Sequence, residues 1–387
     1  MRTKFLTLVF LLLPFIAHTE DTDSQQSDST HAAPLPPSES VIKKIAIGSC
    51  HNQKKPAPIW KAITEASPQL ILLLGDNIYS DTHDPEEYRS VYKEWKKIRP
   101  FKSLFTSIPM LFIWDDHDYG KNDEGRDDHP TREQIQRVFL EELYIPTDRR
   151  AWQSEGIYDA YIFGPENKRL QIILLDTRTF RSPLSTHPYG KRITPSGALL
   201  GKYIPTDDYT TTILGEAQWQ WLEEQLRIPA QIRLIASSIQ VLSNEHGWEC
   251  WGNFPHERQR LLRLIRDTHA EGVILLSGDR HMAEFSRLPV DDPLSPGYPI
   301  TEFTSSSLNM SGFKNPAEPN PYRIPETKQI TENNFGLIDI DWDSDDPLIT
   351  LSICSERNKN LQTIQFPLSS LQITSPTKDV TNDSSSD

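Results

Sequence analysis

Potential metal ligands follow four short apolar segments of this sequence. Each segment has the length and composition of a buried strand that ends at polar residues. The ligands are Cys50 after the first segment, Asp76 and Tyr79 after the second, Asp116 and His117 after the third, and Asp279 and His281 after the fourth. Carboxylate and phenolate oxygens are hard donors that suit a highly charged cation. Because an open α/β sheet binds its ligands at the carboxyl ends of its strands, the four groups are predicted to form one site.

The second segment, Leu70–Asp81, is the centre of this prediction. Asp76 and Tyr79 lie three residues apart on one loop, so both oxygens can reach one cation. Asp81 is expected to serve only a turn or a cap. Each group also has a structural interpretation taken alone, since a Gly-Asp turn often caps a helix and a lone cysteine such as Cys50 is ordinarily a small buried hydrophobe. The occurrence of all four groups at predicted strand ends favours a functional site.

The overall composition is that of a soluble globular protein. The 387 residues include 54 acidic and 40 basic side chains, which gives a net charge of −14. Such an acidic chain is not expected to have nucleic acid as its main partner, because the phosphate backbone selects basic surfaces. We expect a small-molecule substrate and a monomer.

Both ends of the chain differ in composition from the rest. Basic Arg2 and Lys4 precede the apolar run 5–17, which is short for a membrane span. Residues 1–19 are therefore predicted to be a signal peptide that directs export to the periplasm or secretion. An uncleaved N-terminal membrane anchor is the alternative, and the mature chain is expected to have no transmembrane segment. Residues 20–40 and 374–387 are poor in apolar side chains and are predicted to be a disordered tether and tail around a domain of residues 41–373.

The order of predicted elements indicates an α/β protein. Strands alternate with helices through most of the chain, and several strands follow at the end, which is typical of two sheets covered by helices. Residues 181–212 are rich in Pro, Gly, Thr and Tyr and are interpreted as a long surface excursion on the substrate side. Of the three cysteines, Cys250 and Cys354 could form one bridge, although their spacing does not support it.

Four motifs closely resemble those of the alkaline phosphatase D (PhoD-like) family of metallophosphoesterases. They are Gly48-Ser49-Cys50, Gly75-Asp76-Asn77-Ile78-Tyr79, Trp114-Asp115-Asp116-His117-Asp118 with Asn122, and Ser277-Gly278-Asp279-Arg280-His281. The resemblance covers about residues 45–353. It implies a four-layer αββα sandwich with mixed sheets. The larger members of the family carry an additional N-terminal β-domain, which is expected to be absent here because Cys50 follows the tether almost directly.

The resemblance also implies roles for individual residues. Four residues match positions that bind Fe³⁺ in the family, namely Cys50, Asp76, Tyr79 and Asp279. Asp76 is also expected to bind a second metal. Asn122 resembles an asparagine that binds a neighbouring divalent cation, expected to be Ca²⁺, although it lies one position further from His117 than in the family pattern. Asp116 and His281 are expected to be further ligands or their hydrogen-bonding partners, and His117 to face the substrate phosphate. Arg178 and Arg280 could each pair with the phosphate or with site carboxylates.

The expected activity is hydrolysis of phosphate monoesters or diesters by a metal-activated water, without a covalent enzyme intermediate. Asp116, His117 and Arg280 are the candidate catalytic residues, with His117 supplying a proton or a transition-state contact. Two alternatives remain open: a phospholipase-type diesterase at the same site, and a catalytically inactive secreted binding protein on this scaffold. The intact ligand set argues against the inactive protein. The aromatic segment 246–255 could form a wall of the substrate pocket or simply pack, and Glu249 within it could be an extra cation ligand.

Overall fold

The structure, a computed structural model, describes residues 31–315 and 318–373. The strands are β1 (Lys44–Gly48), β2 (Leu70–Leu74), β3 (Met110–Ile113), β4 (Asp159–Phe163), β5 (Leu170–Leu174), β6 (Arg192–Ile193), β7 (Leu199–Leu200), β8 (Ile232–Ala236), β9 (Val273–Ser277), β10 (Ala283–Leu288), β11 (Ile300–Ser305), β12 (Asn334–Asp341), β13 (Leu348–Ser355) and β14 (Asn360–Pro367). The helices are α1 (Ile59–Ala66), α2 (Pro85–Lys97), α3 (Arg99–Ser107), α4 (Asp116–Tyr119), α5 (Arg132–Glu142), α6 (Gly215–Leu226) and α7 (Pro255–Asp267).

Twelve of these strands form two six-stranded mixed sheets. The first sheet has the order β14-β13-β12-β1-β2-β3, and the second has the order β10-β11-β9-β8-β5-β4. In the first sheet β1, β2 and β3 are parallel, and in the second β5, β8, β9 and β11 are parallel. The remaining pairings within the two sheets are antiparallel. The predicted α/β fold with mixed sheets is therefore confirmed.

The two sheets approach each other closely at a glycine. A Cβ added to Gly336 of β12 would lie 2.6 Å from both Ile47 Cγ1 of β1 and Phe303 Cζ of β11. Since real Cβ atoms do not approach other atoms this closely, the position accepts only a glycine without repacking. The core between the sheets consists of aliphatic and aromatic residues that are almost fully buried.

Helices cover the sheets. On the first sheet, Trp95 of α2 stacks on Phe101 of α3 with ring centroids 3.9 Å apart, and Phe105 of α3 contacts Phe112 of β3. On the second sheet, the Gln171 side chain of β5 donates to a backbone carbonyl of α6. The helices together with the two sheets give the predicted αββα layers.

The structure departs from the sequence prediction at several elements. The sequence predicts a strand over 234–239, whereas β8 begins and ends earlier, and it predicts no helix or strand for α3, β4, β10 and β14. Residues 31–40, which fall in the predicted tether, lie along the folded body, where Ala33 N donates to Phe105 O at 2.9 Å and Gly164 N donates to Ser38 O at 2.7 Å. The predicted signal peptide, the rest of the tether and the tail lie outside the described residues.

Two further observations concern cysteines and membranes. Cys50, Cys250 and Cys354 are all buried and free, so the suggested bridge between the last two is not formed. Among residues 31–315 and 318–373, every helix is too short or too polar to cross a membrane.

Candidate metal centre

The predicted ligands converge because their strands are neighbours. Cys50, Asp76 and Asp116 follow β1, β2 and β3, which lie side by side and parallel in the first sheet. Asp279 and His281 follow β9 of the second sheet. The carboxyl ends of parallel strands meet at one edge of a sheet, which explains why residues distant in sequence form one cluster.

Four of the ligands have a left-handed backbone conformation. Cys50, Asp76, Asp279 and His281 have φ values of 59°, 50°, 66° and 53°. This left-handed region is uncommon for residues other than glycine and costs about 1–3 kcal/mol at each position unless the surroundings hold it in place. Residues in such conformations cluster at functional sites, so the strain supports a site at these strand ends.

One group of donors surrounds the Oδ2 atom of Asp76. Cys50 Sγ lies 3.4 Å from Asp76 Oδ2, and the Tyr79 hydroxyl donates to the same oxygen at 2.9 Å. The Tyr79 hydroxyl also lies 3.1 Å from His281 Nε2. Ligand atoms of Cys50, Asp76 and His281 all lie within 4.8 Å of one another. A thiolate, a phenolate, a carboxylate and an imidazole can thus reach one cation.

A second group of donors adjoins the first through Asp76. Ligand atoms of Asp76, Asp116 and His117 lie within 4.8 Å of one another, and so do those of Asp115, Asp116 and Asp279. Asp116 Oδ1 is buried without a hydrogen-bond partner among the described residues, whereas Asp116 Oδ2 accepts from Asp123 N at 2.7 Å. An unpartnered buried carboxylate oxygen is costly unless a cation or a donor satisfies it.

The electrostatics of the cluster favour a bound cation. Burial, followed by the charge of Asp76, raises the pKa of the Cys50 thiol and of the Tyr79 hydroxyl well above their ordinary values. Burial also raises the pKa of Asp76, with Asp116 adding to the effect, and that of Asp279, with Asp115 adding to it. Bound cations would reverse these shifts, because they stabilise the deprotonated ligands. The donor set therefore fits bound cations.

His117 is held by two contacts beside this cluster. Its Nδ1 lies 2.5 Å from Asp81 Oδ1, and its ring packs on Tyr79 with centroids 4.1 Å apart. Burial lowers the pKa of His117, but the carboxylates of Asp116, Asp76 and Asp81 outweigh burial and raise it to about 11. Asp81 thus pairs with the candidate catalytic histidine, and the expectation that it serves only a turn or a cap is wrong.

A cavity of about 280 Å³ opens beside the cluster. Asp279, Arg280 and His281 line it, and Asn122 lies exposed at its rim. The guanidinium of Arg280 donates to Glu318 Oε1 at 2.9 Å. Four of the predicted site residues therefore line the cavity, where a substrate could contact them. Trp248, from the aromatic segment 246–255, forms part of another wall.

A buried ion-pair network supports the cluster from behind. Arg178, which is fully buried, pairs with Asp115 and with Glu249, and Arg181 pairs with Glu249 at 2.9 Å. Burial raises the pKa of Asp115 to about 7, although Arg178 opposes the shift. Arg178 therefore pairs with site carboxylates rather than facing a phosphate. Glu249, suggested as an extra cation ligand, is engaged by two guanidinium groups instead.

Sequence reasoning did not single out two further contributors to the site. Ser306 lies with its Oγ 3.2 Å from Cys50 Sγ and accepts from His281 N at 2.9 Å, so it links the two sheets at the cluster. Asp118 accepts from the Asn77 backbone at 3.1 Å and from the Tyr92 hydroxyl at 3.0 Å, which fixes the loop after β2. Asp118 lies within a recognised motif, whereas nothing in the sequence around Ser306 indicates its contact.

A separate group of potential ligands lies nearby but is satisfied by hydrogen bonds. His83 Nε2 lies 2.7 Å from Glu124 Oε1, and Thr131 N donates to His129 Nδ1 at 3.2 Å. His129 Nε2 contacts the Tyr119 carbonyl. These bonds join the loop after β2 to the loop that follows α4, and they account for the group without a metal.

The fold and the motifs can be compared with known proteins. A family model described as PhoD-like phosphatase matches residues 45–347. Alkaline phosphatase D of Bacillus subtilis (strain 168) is 23% identical over 354 residues, which cover 79% of this chain and 56% of that protein. The chain thus spans little more than half the length of this curated relative.

Solved structures show the same fold at low sequence identity. A structure of PhoD has a TM-score of 0.62 at 17% identity and is matched over 86% of this chain and 73% of its own. The purple acid phosphatase PPD1 of yellow lupin (Lupinus luteus) has a TM-score of 0.57 at 10% identity, over 86% of this chain and 55% of its own. GAP50, described as the anchor in the inner membrane complex of Plasmodium, has a TM-score of 0.52 at 14% identity, over 87% of this chain and 90% of its own.

Proposed function

Because the chain belongs to the PhoD-like phosphatase family, we propose that it is a metal-dependent phosphoric ester hydrolase whose metals are bound at the strand-end cluster. The observation that carries the proposal is the convergence of the Cys50, Asp76 and His281 donors, and of the Asp76, Asp116 and His117 donors, within 4.8 Å in each group. Since Asp76 belongs to both groups, it is suited to bridge two cations.

The chemistry of the donors supports different metals in the two groups. Cys50, Tyr79 and one oxygen of Asp76 would hold Fe³⁺, because anionic thiolate and phenolate donors favour the trivalent ion. Asp279, which the resemblance also assigns to iron, would reach this ion from the second group, where its carboxylate lies beside those of Asp115 and Asp116. Oxygen ligands from Asp76, Asp116 and Asn122 would hold a divalent cation, for which Ca²⁺ is the proposed identity. His281, with its Nε2 3.1 Å from the Tyr79 hydroxyl, would complete the iron group or orient its phenolate.

Bound metals would supply a hydroxide near neutral pH and neutralise the phosphate oxygens. The protein side chains would orient the ester and handle the proton of the leaving group. Asp81 engages Nδ1 of His117, which leaves Nε2 as the atom that can reach a substrate oxygen. Arg280, which lines the cavity, would contact the phosphate while Glu318 holds its guanidinium.

The substrate is proposed to be a small phosphate monoester or diester, with a phospholipid diester as the alternative. A panel of soluble monoesters, soluble diesters and phospholipids, assayed with the same metal-loaded preparation, compares these classes directly. Export and a monomeric state are part of the proposal and rest on the sequence of residues 1–19 and on the acidic composition.

A binding protein without catalytic activity is the second candidate function. GAP50 supports it, since a protein described as an anchor shares this fold over 90% of its length. The two candidates differ in metal content and turnover. The enzyme is expected to contain iron and to hydrolyse a chromogenic phosphate ester, and Asp76→Asn is expected to abolish both.

The exposed Asp84→Asn variant serves as the matched control, because the Asp84 side chain accepts from Glu86 N at the start of α2, a role that asparagine can also fill. A protein that binds no iron and does not hydrolyse the ester would refute the proposed enzyme and favour the binding protein. Equal turnover with and without Asp76 would refute the proposed metal site.

A further inference from the structure

The sulfur of Cys50 lies against a buried serine hydroxyl that comes from the second sheet. Ser306 is the residue after β11, and its Oγ lies 3.2 Å from Cys50 Sγ. Both residues are buried, with 0% of their surface exposed. Bulk water therefore does not compete for this contact. A hydrogen bond to a charged atom is stronger in such surroundings than in water.

The surrounding hydrogen bonds indicate which of the two atoms donates. The protonated thiol of Cys50 donates to Asp76 Oδ2 at 3.4 Å, so its proton does not point at Ser306. Ser306 Oγ accepts from His281 N at 2.9 Å, which leaves the proton of its own hydroxyl for the sulfur. When a cation binds and the thiol is deprotonated, the sulfur can only accept. The Ser306 hydroxyl is therefore the donor in the metal-bound form of the site.

Backbone hydrogen bonds hold the serine beside the sulfur. Ser306 N donates to Met282 O at 3.1 Å. Three residues further along the chain, Asn309 N donates to Cys50 O at 3.4 Å, so the segment after β11 runs beside the loop after β1. The Ser49 hydroxyl is more distant from the same sulfur, at 3.6 Å, and also donates to a backbone carbonyl at 3.4 Å. Of these two hydroxyls, that of Ser306 is the better placed to act on the sulfur.

We propose that the Ser306 hydroxyl donates a hydrogen bond to the Cys50 thiolate and thereby tunes the charge of the iron bound there. The inference rests on the proposed function, because it requires iron at Cys50. Hydrogen bonds to ligand sulfur atoms are one of the factors that set the reduction potential of an iron site. The sulfur carries more negative charge beside Fe²⁺ than beside Fe³⁺, so the hydrogen bond stabilises the reduced form more. Ser306 is thus a positioning residue that acts on the metal through its ligand.

The first experiment measures the midpoint potential of the Fe³⁺/Fe²⁺ couple in the full iron-loaded chain. Ser306→Ala should lower this potential, because Fe²⁺ loses more stabilisation than Fe³⁺. The loss of a hydrogen bond to a charged group is expected to change the ratio of the two affinities about tenfold, which corresponds to about 59 mV for a one-electron couple. Ser306→Thr retains a hydroxyl and should return the potential toward that of the wild type.

The matched control is Ser305→Ala. Ser305 precedes Ser306 directly and is equally buried, but its hydroxyl bonds to Asn334 Oδ1 at 3.0 Å, so the control should leave the potential unchanged. A potential that moves no more in Ser306→Ala than in Ser305→Ala would overturn the proposal. A loss of folding stability in Ser306→Ala without a change in potential would have the same meaning, since the serine would then serve only to link the two sheets.

A second measurement needs no variant and applies even if Ser306→Ala does not fold or does not retain iron. In the resonance Raman spectrum of the iron-loaded wild type, transfer to D₂O should shift the Fe–S stretching band, because the hydroxyl proton at the sulfur exchanges. An unchanged band would overturn the proposal. Failure of the proposed function gives a different result, since the wild type would then contain no iron and would not hydrolyse a chromogenic ester, and both proposals would fall. An iron-loaded, active wild type without either shift would refute only the role of Ser306.

Discussion

The pair formed by Asp81 and His117 allows a sharp test of the proposed hydrolysis, in which His117 would protonate the leaving group. Asp81→Asn preserves the size of the side chain but removes the charge that faces His117 Nδ1 at 2.5 Å. A hydrogen bond between charged groups contributes about 1.5–3 kcal/mol when shielded from solvent. The Asp81 side chain is 52% exposed, so screening reduces this to about 1 kcal/mol. A loss of about 1 kcal/mol in the transition state corresponds to about fivefold in rate.

The assay uses a series of soluble phosphate esters with leaving groups of increasing pKa. If Asp81 orients His117 to protonate the departing oxygen, Asp81→Asn should slow the esters with poor alkoxide leaving groups by about fivefold and leave nitrophenyl esters nearly unchanged. His117→Asn should show the same dependence with a larger loss. Adding Asp81→Asn to His117→Asn should cause no further loss, because the two residues then act as one unit.

An equal effect on every ester would refute the reasoning, because a change in metal position or in folding would slow all substrates alike. A further loss from Asp81→Asn in the His117→Asn background would also contradict it. Asp84→Asn is the matched control, since Asp84 is an exposed aspartate three residues along the chain that caps α2 and does not contact His117.

Three further predictions follow from the same geometry. Tyr79→Phe should remove the visible charge-transfer absorption of the iron-loaded protein while the circular dichroism stays unchanged; retention of the band would exclude Tyr79 as an iron ligand. Iron binding should release protons, because burial and Asp76 keep the Cys50 thiol and the Tyr79 hydroxyl protonated in the metal-free protein, and calorimetry in buffers of different ionisation enthalpy measures the release. Arg178→Gln should lower the free energy of unfolding by about 3–5 kcal/mol in urea denaturation, since it leaves Asp115 and Glu249 buried without their cation, and a change below about 1 kcal/mol would contradict the network's role.

The strand order explains which parts of the site the sequence could predict. The sequence predicts four strands that end at ligands, because each apolar run and its ligands are adjacent in sequence. Their convergence followed from the parallel pairing of β1, β2 and β3. The pairing of Asp81 with His117 was not visible, because it joins side chains 36 residues apart and depends on how two loops pack.

Elements that lack an apolar run were also missed. Only Phe366 is buried in strand β14 (Asn360–Pro367), and half of the residues of this strand are polar, so its strand conformation comes mainly from antiparallel pairing with β13. Residues 31–40 have the composition of a flexible segment, yet Ala33 and Ser38 make backbone hydrogen bonds to the body. The composition of a segment indicates how much apolar surface it can bury. It does not indicate whether the backbone of the segment forms hydrogen bonds to distant parts of the chain.

Strain and charge at the cluster have one common physical explanation. Cys50, Asp76 and Asp279 combine a left-handed backbone with a raised pKa, and both features destabilise the metal-free fold. Cations bound by these residues would stabilise the native state alone, because the unfolded chain does not bring the ligands together. The buried core and the Arg178 network must therefore hold the ligands in this arrangement before a metal binds. Without a cation, three strained ligands that repel one another would only destabilise the fold. Their position at the ends of adjacent strands and of the facing sheet therefore favours metal binding.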